Sequence, residues 1–495
     1  MTADGLTRRE LLRAGTAGAA GVAVLGTAGC DLFDDGDGSS AGAAAVDRPN
    51  ILVVVIDSFR TDHVGAYGGK SAFTTNLNAL ARESLLFTHA VPESMPTIPA
   101  RRAIMTGRRS FPFRGWHPVP GLPPQPGWSP IPRSQPTWTQ LLRREGYVTG
   151  YVTDNPHILA RPYDPFRNTF DAARAIKGQV PYRGRPPGHM SRREYLRYVP
   201  PELRDTDSGR LKTYLEANEG MRGEDNHLTA RVFNTAIAFL QTVSDRQPFA
   251  LVVDTFNPHE PWDPPPKYTS LYTDIGRKDV KPIQPFNSPG GKVADMSRRT
   301  HRRAKGLYAG ELSFVDTWLG NLLDSLDTLG MSGSTWVVVL GDHGVLLGEH
   351  GWMGKPRSLA HREVYHVPYM IRHPEGRKAG SRSGYYASTH DVAVTALSAA
   401  GVKPVRRMQG EDLTTIFKGR KPRARRHFTS AFNDYIIVGE GHWVLISDNQ
   451  LQEPRLYDKR RDPRELHDVA SRHPGVVRRL YGAARRDAGG PFPRF

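Results

Sequence analysis

Two apolar, β-branched runs, far apart in the chain, each stop abruptly on an acid. Asn50-Ile51-Leu52-Val53-Val54-Val55-Ile56 ends on Asp57, and Trp336-Val337-Val338-Val339-Leu340-Gly341 ends on Asp342-His343. Uninterrupted runs of this kind suit strands buried on both faces of a parallel sheet. In such sheets ligands sit beyond the carboxyl ends of the strands. Asp57, Asp342 and His343 therefore belong on one rim, placed to share a divalent cation. A carboxylate at the end of a buried strand is costly unless it is paired or metal-bound, and hard cations favour its oxygens. His343 adds a borderline nitrogen ligand, which leaves Ca²⁺, Mn²⁺ and Zn²⁺ open. Gly341 and Gly344 allow close backbone approach beside the pair.

Between the runs lies Pro96-Thr97-Ile98-Pro99-Ala100-Arg101. Pro99 suits an early helical position, and Gly107 is placed to end a short helix. Thr97 has two readings. It is the helix N-cap, or it is a nucleophile whose ionised hydroxyl is favoured by a neighbouring cation and the helix dipole. Arg101 is the cationic partner of that hydroxyl. His259, in Asn257-Pro258-His259-Glu260-Pro261, follows a strand-like run and so reaches the same rim. His350 and Lys355 follow the metal pair in a Gly-rich loop. His157 is a weaker candidate, and Arg60 reads as a structural hold on the strand end.

The 495 residues, 24% charged and 38% hydrophobic, describe a soluble globular chain with one large and one small domain. From Ile51 to about Ala400, strand-like segments (51–56, 147–153, 249–254, 335–340) alternate with helix-like ones (75–84, 137–145, 228–244, 303–329). That alternation predicts an α/β domain, residues 48–405, with a large, mixed, mostly parallel sheet sandwiched by helices. Two basic stretches rich in Pro, Gly and Arg, about 166–226 and 264–302, read as substrate-facing insertions. A Gly-turn hairpin at 438–446, the segment Leu456-Tyr457-Asp458 and a helical tail at 475–486 predict a small antiparallel sheet with a packing helix, residues 406–495.

Thr7-Arg8-Arg9-Glu10-Leu11-Leu12-Arg13 resembles a twin-arginine export motif, and the apolar run behind it is too short to span a membrane. Residues 1–29 read as a signal peptide and 30–47 as a flexible tether. Cys30, the one cysteine, excludes disulfides within a monomer. Gly29-Cys30 resembles a lipoprotein cleavage site, so the expected location is the outer side of the cytoplasmic membrane, held by lipid on Cys30. The net charge of +17 favours anionic partners. No zinc-finger spacing or other nucleic-acid module is visible, and nucleic acid is not an expected partner.

The ordered series Asn50…Asp57-x-x-Arg60-x-Asp62…Tyr67-Gly68, Thr97-x-Pro99-x-Arg101…Thr106-Gly107, Pro258-His259-x-Pro261 and Gly341-Asp342-His343-Gly344…Gly348-Glu349-His350-Gly351…Lys355 resembles the sulfatases of the alkaline phosphatase superfamily. His390-Asp391, Ala400-Gly401-Val402, Gln409-Gly410 and Leu456-Tyr457-Asp458…Asp462-Pro463…Glu465 extend the resemblance to the tail. It implies a metal-assisted hydrolase of sulfate or phosphate esters that forms a covalent intermediate. Asp57, Asp342, His343 and Thr97 would hold one divalent cation, with Thr97 as nucleophile and Arg101 supporting it. His259 and Lys355 would contact the ester or protonate the leaving group.

The departures bear on the chemistry. In sulfatases the Thr97 position is a cysteine or serine oxidised to formylglycine, and threonine is no substrate for that maturation. Ser58 stands where a second acid is common, Ala100 replaces a usual serine, and Asp154-Asn155-Pro156-His157 stands where a Gly-Lys-Trp-His element is expected. An unmodified threonine resembles the branches that act on phosphorus: phosphodiesterases, phosphonate monoester hydrolases, and the lipoteichoic acid synthase and phosphoethanolamine transferase group. The alternatives are a head-group transferase acting on cell-envelope glycans and a catalytically silent protein that binds anionic glycans.

Overall fold

The computed structural model describes residues 48–179, 190–206, 209–219, 221 and 223–495. The expected signal peptide, the tether and Cys30 lie outside the described residues. Among the described residues no helix is long and apolar enough to cross a membrane.

The main sheet has eight strands: β1 Asn50–Ile56, β2 Leu85–Val91, β3 Val148–Thr153, β4 Ala172–Ala175, β5 Phe249–Thr255, β6 Thr335–Gly341, β7 Tyr369–Arg372 and β8 Arg382–Ser388. Their order across the sheet is β8-β2-β7-β6-β1-β5-β3-β4. β1 lies at the centre, parallel to β5 and β6, and β7 is antiparallel to both of its neighbours. Every residue of β1, β5 and β6 is buried, as unbroken apolar runs require.

Strand alternation divides the core into two layers. Leu52, Val54, Ile56, Val253 and Val339 pack with the helices Leu228–Thr242 and Arg298–Thr328 on one face. Ile51, Val53, Val55, Val252 and Leu340 pack with the helices Thr97–Thr106, Trp138–Arg144 and Asp391–Ala399 on the other. The helix Thr97–Thr106 is held there by Ile98, Ile104 and Met105, each 1% exposed or less. Such burial stabilises by roughly 2 kcal/mol per side chain. Gly107 ends this helix at φ 63°, a left-handed value that glycine adopts without strain.

A five-stranded sheet runs in the order Arg455–Asp458, Trp443–Asp448, Tyr435–Glu440, His427–Phe432, Ser94–Met95. The helix Pro474–Asp487 covers it through Val477, Leu480, Ala483 and Ala484. Ser94–Met95 pairs in parallel with His427–Phe432. The residues leading into Thr97 are thereby fixed by the C-terminal sheet as well as by the main one. The helix expected from 303 begins at Arg298, because the Thr300 N–H donates to Ser297 Oγ and caps it earlier.

Candidate metal centre and active site

Strand alternation carries past the ends of three neighbouring strands. Val55 sits opposite Asp254 on one side and Leu340 on the other, and Ile56 sits opposite Gly341. Asp57, Asp254 and Asp342 continue the face that carries Val55, Val252 and Leu340, against which the helix Thr97–Thr106 packs. Arg101 projects from that helix into all three acids. Its Nη2 lies 2.7 Å from Asp254 Oδ1, and its Nη1 lies 3.1 Å from Asp57 Oδ2 and contacts Asp342 Oδ2. None of the four side chains is more than 2% exposed.

Apart from Arg101, the hydrogen-bond donors to each acid of the central pair fall on one oxygen. Asp57 Oδ1 accepts from Ser58 Oγ at 2.8 Å, and Asp342 Oδ1 accepts from the Ser58 and His343 N–H groups at 3.1 and 2.7 Å. His343 Nδ1 lies 2.9 Å from the Gly344 carbonyl oxygen, which only accepts, so Nδ1 carries the proton and Nε2 presents its lone pair. That Nε2 is 3.4 Å from Asp342 Oδ2 and 3.7 Å from Asp57 Oδ1. His343 Nε2 and Asp57 Oδ2 are buried without a hydrogen-bond partner. Burial holds His343 down to about 4, so the ring is neutral and ligand-competent. Burial pushes Asp57 up, and the neighbouring Asp342 adds to it; burial likewise pushes Asp342 up.

These residues fit a divalent cation. One donor atom from each of Asp57, Asp342 and His343 lies within 4.8 Å of the others. Ligands that share a small cation at about 2.1 Å and tetrahedral angles sit about 3.4 Å apart. Three carboxyl groups crowd around one guanidinium, more acidic groups than it can pair, and a dication would offset the excess. The donor set of two carboxylates and an imidazole suits Mn²⁺, Zn²⁺ and Ca²⁺ alike. An added Cβ at Gly344 would collide with the Glu363 carbonyl oxygen, so this turn admits only glycine.

Thr97 is the first residue of its helix. Pro96 occupies the cap position, and no side chain makes the capping hydrogen bond. The N-cap reading of Thr97 therefore does not hold. Its carbonyl oxygen lies 3.5 Å from Arg101 Nη1, one helical turn on. Thr97, His157, His259 and Lys355 line one cavity of about 730 Å³. Its walls include Gln179, Thr213 and Tyr214 from the first insertion and Gln284, Ser288 and Pro289 from the second. A proline-rich wall at Pro123, Pro124 and Trp128 was not expected from the sequence.

His259 stacks on Phe256 at 4.0 Å, and its Nδ1 lies 2.6 Å from the Glu260 carbonyl oxygen, which leaves the lone pair on Nε2. Burial and then the Lys355 charge hold it well below the ordinary histidine value. Lys355 Nζ donates to Glu260 Oε2 at 2.9 Å and to Ser58 Oγ at 3.3 Å. Ser58 Oγ therefore bridges Lys355 to Asp57, in a residue whose φ of 52° is left-handed. Burial, then Arg101 and Lys355, hold His157 down to about 3. Arg60 pairs with Asp62 and Glu349 and also reaches the Val345 carbonyl, a structural role. His350 stacks on His361 at 3.6 Å and is not among the cavity-lining residues.

Four participants escaped the sequence reading: Asp254, Tyr151, whose hydroxyl donates to Asp254 Oδ2 at 2.7 Å, Glu260 and the bridging role of Ser58. The run 249–254 ends on an acid just as 50–57 does, and that signal was available for Asp254.

The model of the Sulfatase family matches residues 49–402. The chain belongs to the sulfatase family. A second family model, N-sulphoglucosamine sulphohydrolase, C-terminal, matches residues 348–478. An N-acetylglucosamine-6-O-sulfatase of Bacteroides thetaiotaomicron is 22% identical, covering 85% of this chain and 82% of its own. An arylsulfatase of Clostridium perfringens is 23% identical, covering 85% and 90%. The crystal structure of a phosphonate monoester hydrolase of Agrobacterium radiobacter superposes with a TM-score of 0.68 at 20% identity, covering 89% of this chain and 96% of that one. The chain is thus a sulfatase-like hydrolase of the alkaline phosphatase superfamily, with that superfamily's α/β fold.

Proposed function

We propose that this sulfatase-family hydrolase holds one divalent cation through Asp57, Asp342, His343 and Thr97. Thr97 Oγ1 is its nucleophile, and phosphate or phosphonate esters are preferred to sulfate esters. The observation that carries this is the placement of Thr97: first in its helix, uncapped, on the cavity wall, one turn from the arginine that grips the three acids.

When bound, the cation supplies positive charge that favours the Thr97 alkoxide and draws charge from the ester oxygens. The positive end of the helix dipole adds to the anion-binding field. His259 Nε2, with its lone pair free, takes the hydroxyl proton as the Thr97 Oγ1–phosphorus bond forms. Lys355 Nζ meets the leaving oxygen as its bond breaks. Water then cleaves the threonine ester and restores the hydroxyl. A formylglycine hydrate can eliminate sulfate from its ester. Threonine lacks the second hydroxyl, so release requires attack at the central atom, which favours phosphorus.

The substrate is an anionic ester, with a cell-envelope glycan as its natural carrier. Export by the twin-arginine route and a lipid on Cys30 place the enzyme beside that carrier. The deciding experiment compares aryl phosphonate, phosphodiester and sulfate esters with wild type and Thr97→Ala after metal loading. Turnover should favour phosphorus and fall about a thousandfold or more in the variant. Full activity of Thr97→Ala removes the nucleophile assignment. The walls given by both insertions also favour a second reading, transfer of a phosphoryl head group to a glycan hydroxyl. Product analysis with a competing alcohol separates transfer from hydrolysis.

A further inference from the structure

A second cavity, of about 720 Å³, opens where the loops of the main domain meet the small sheet and its helix. The chemistry above does not use it. It lies past the other end of the helix that carries Thr97. That helix spans ten residues, roughly 15 Å at about 1.5 Å per residue, and Arg109 follows its terminal glycine by two positions.

The walls carry Arg109, Arg423, Arg425, Arg426 and Arg486, with Asp487 as the lone acid of the lining. Two further carboxylates stand behind it. Arg425 grips Asp391 with both terminal nitrogens, at 2.6 and 2.5 Å. Arg423 pairs with Glu411 at 2.6 Å. Arg109 Nη2 reaches Asp487 only at 3.5 Å, and that carboxylate also meets His427 at 3.2 Å. Arg109 Nη1 is buried with no hydrogen-bond partner. Among the described residues, Arg426 and Arg486 have no carboxylate within 4.0 Å. Five guanidiniums thus share three carboxylates around one hollow.

Such crowding of like charge costs Coulomb energy that a bound anion offsets. Guanidinium forks match the oxygen spacing of tetrahedral oxyanions and bind them with two parallel hydrogen bonds. The lining offers no Phe, Tyr or Trp face for stacking. Recognition therefore falls on the charged group and not on an aromatic body attached to it. We propose that this cavity is a non-catalytic oxyanion site that takes a phosphate or sulfate group, either as the free ion or on a lipid head group.

The test uses the full chain with Arg426→Gln and Arg486→Gln combined, and separately Ala424→Trp, which fills the rim without removing a charge. Calorimetric titration with inorganic phosphate and with inorganic sulfate should show two binding events in wild type. One of them should weaken by about tenfold or more in either variant. Turnover of an aryl ester within about twofold of wild type shows that the variants fold. Sedimentation with phosphatidylglycerol vesicles distinguishes the sources. Vesicle binding that depends on these arginines, without a second event for the free ions, assigns the head group. A second event for the free ions assigns the solute. Wild-type affinity for phosphate, sulfate and vesicles in both variants overturns the site, as does a wild type that shows one ion-binding event and no vesicle binding.

Discussion

Arg101 and Asp254 lie side by side in the protein interior, with Nη2 2.7 Å and Nε 3.3 Å from the same carboxylate oxygen. The Tyr151 hydroxyl donates to the other oxygen at 2.7 Å. This pairing occupies one edge of the guanidinium and aims Nη1 at Asp57 and Asp342. Asp254→Asn keeps the shape and removes the charge. Breaking a buried pair by neutralising one partner should destabilise by about 3 kcal/mol. Because Arg101 is then free to tilt, kcat should fall about tenfold or more while KM changes little. Tyr151→Phe should cost only about 1 kcal/mol. Chemical denaturation and steady-state kinetics on both variants check this, and an unchanged Asp254→Asn would show that Arg101 needs no second anchor.

Lys355 pairs with Glu260 at 2.9 Å, and under the proposed function it also meets the leaving oxygen. Lys355→Met should lower kcat by about a hundredfold or more for esters of alkyl alcohols. The loss should shrink for esters of acidic phenols, which leave without proton transfer. A series of leaving groups of graded acidity measures this directly. Equal losses across the series would reduce Lys355 to an electrostatic partner of Glu260.

The centre of the fold was legible because β1, β5 and β6 are local apolar runs and β3 is a β-branched and aromatic one, whereas their order across the sheet is set by tertiary packing. β2, β4, β7 and β8 were not anticipated, and β4 lies inside the stretch read as the first insertion. β7 is four residues long and antiparallel, and β8 mixes exposed residues with half-buried ones at the sheet edge. Neither pattern separates a strand from a loop. Asp57, Asp342 and His343 were readable because each needs only its own strand end. Asp254 closes a similar run, but nothing local states that the helix Thr97–Thr106 lies across its face and brings Arg101 to it. Glu260 stands beside the predicted His259, but its partner Lys355 is supplied from a remote loop. Ser94–Met95 is a two-residue strand whose partner lies in the C-terminal sheet. Such pairings are set by tertiary packing and leave no periodic trace.

If Thr97 is the nucleophile, as proposed, the start of its helix also decides which ester the site turns over. On that reading, Pro99 and Arg101 keep the pattern that resembles the formylglycine-bearing sulfatases, and Thr97 is the departure. Thr97→Ser should retain phosphorus-ester turnover within about tenfold, since the nucleophile is kept. Thr97→Cys, produced together with the maturation enzyme, should gain sulfate-ester turnover at the expense of phosphorus. Mass spectrometry confirms the oxidised side chain. If wild type already cleaves sulfate esters as fast as the matured variant, threonine does not set the preference.

Glu311 supports the loop that carries His259. Its Oε1 accepts from Asn257 Nδ2 at 2.6 Å, and its Oε2 is buried without a partner. Burial, with help from the Asp263 charge, pushes its carboxyl up to about 8. The unfolded carboxyl titrates near about 4.3. Between those values the folded state binds more protons than the unfolded one, so this group's stabilisation is complete below the lower value. It is lost as pH rises through the upper one, at up to about 1.4 kcal/mol per pH unit. Glu311→Gln preserves an acceptor for Asn257 and cannot ionise. The stability of the variant relative to wild type should therefore climb steadily from about pH 5 to about pH 8 and level off beyond. Urea denaturation of both proteins across that range measures the difference. A gap that stays constant with pH would mean that the buried carboxyl carries the same charge in the folded and unfolded chains.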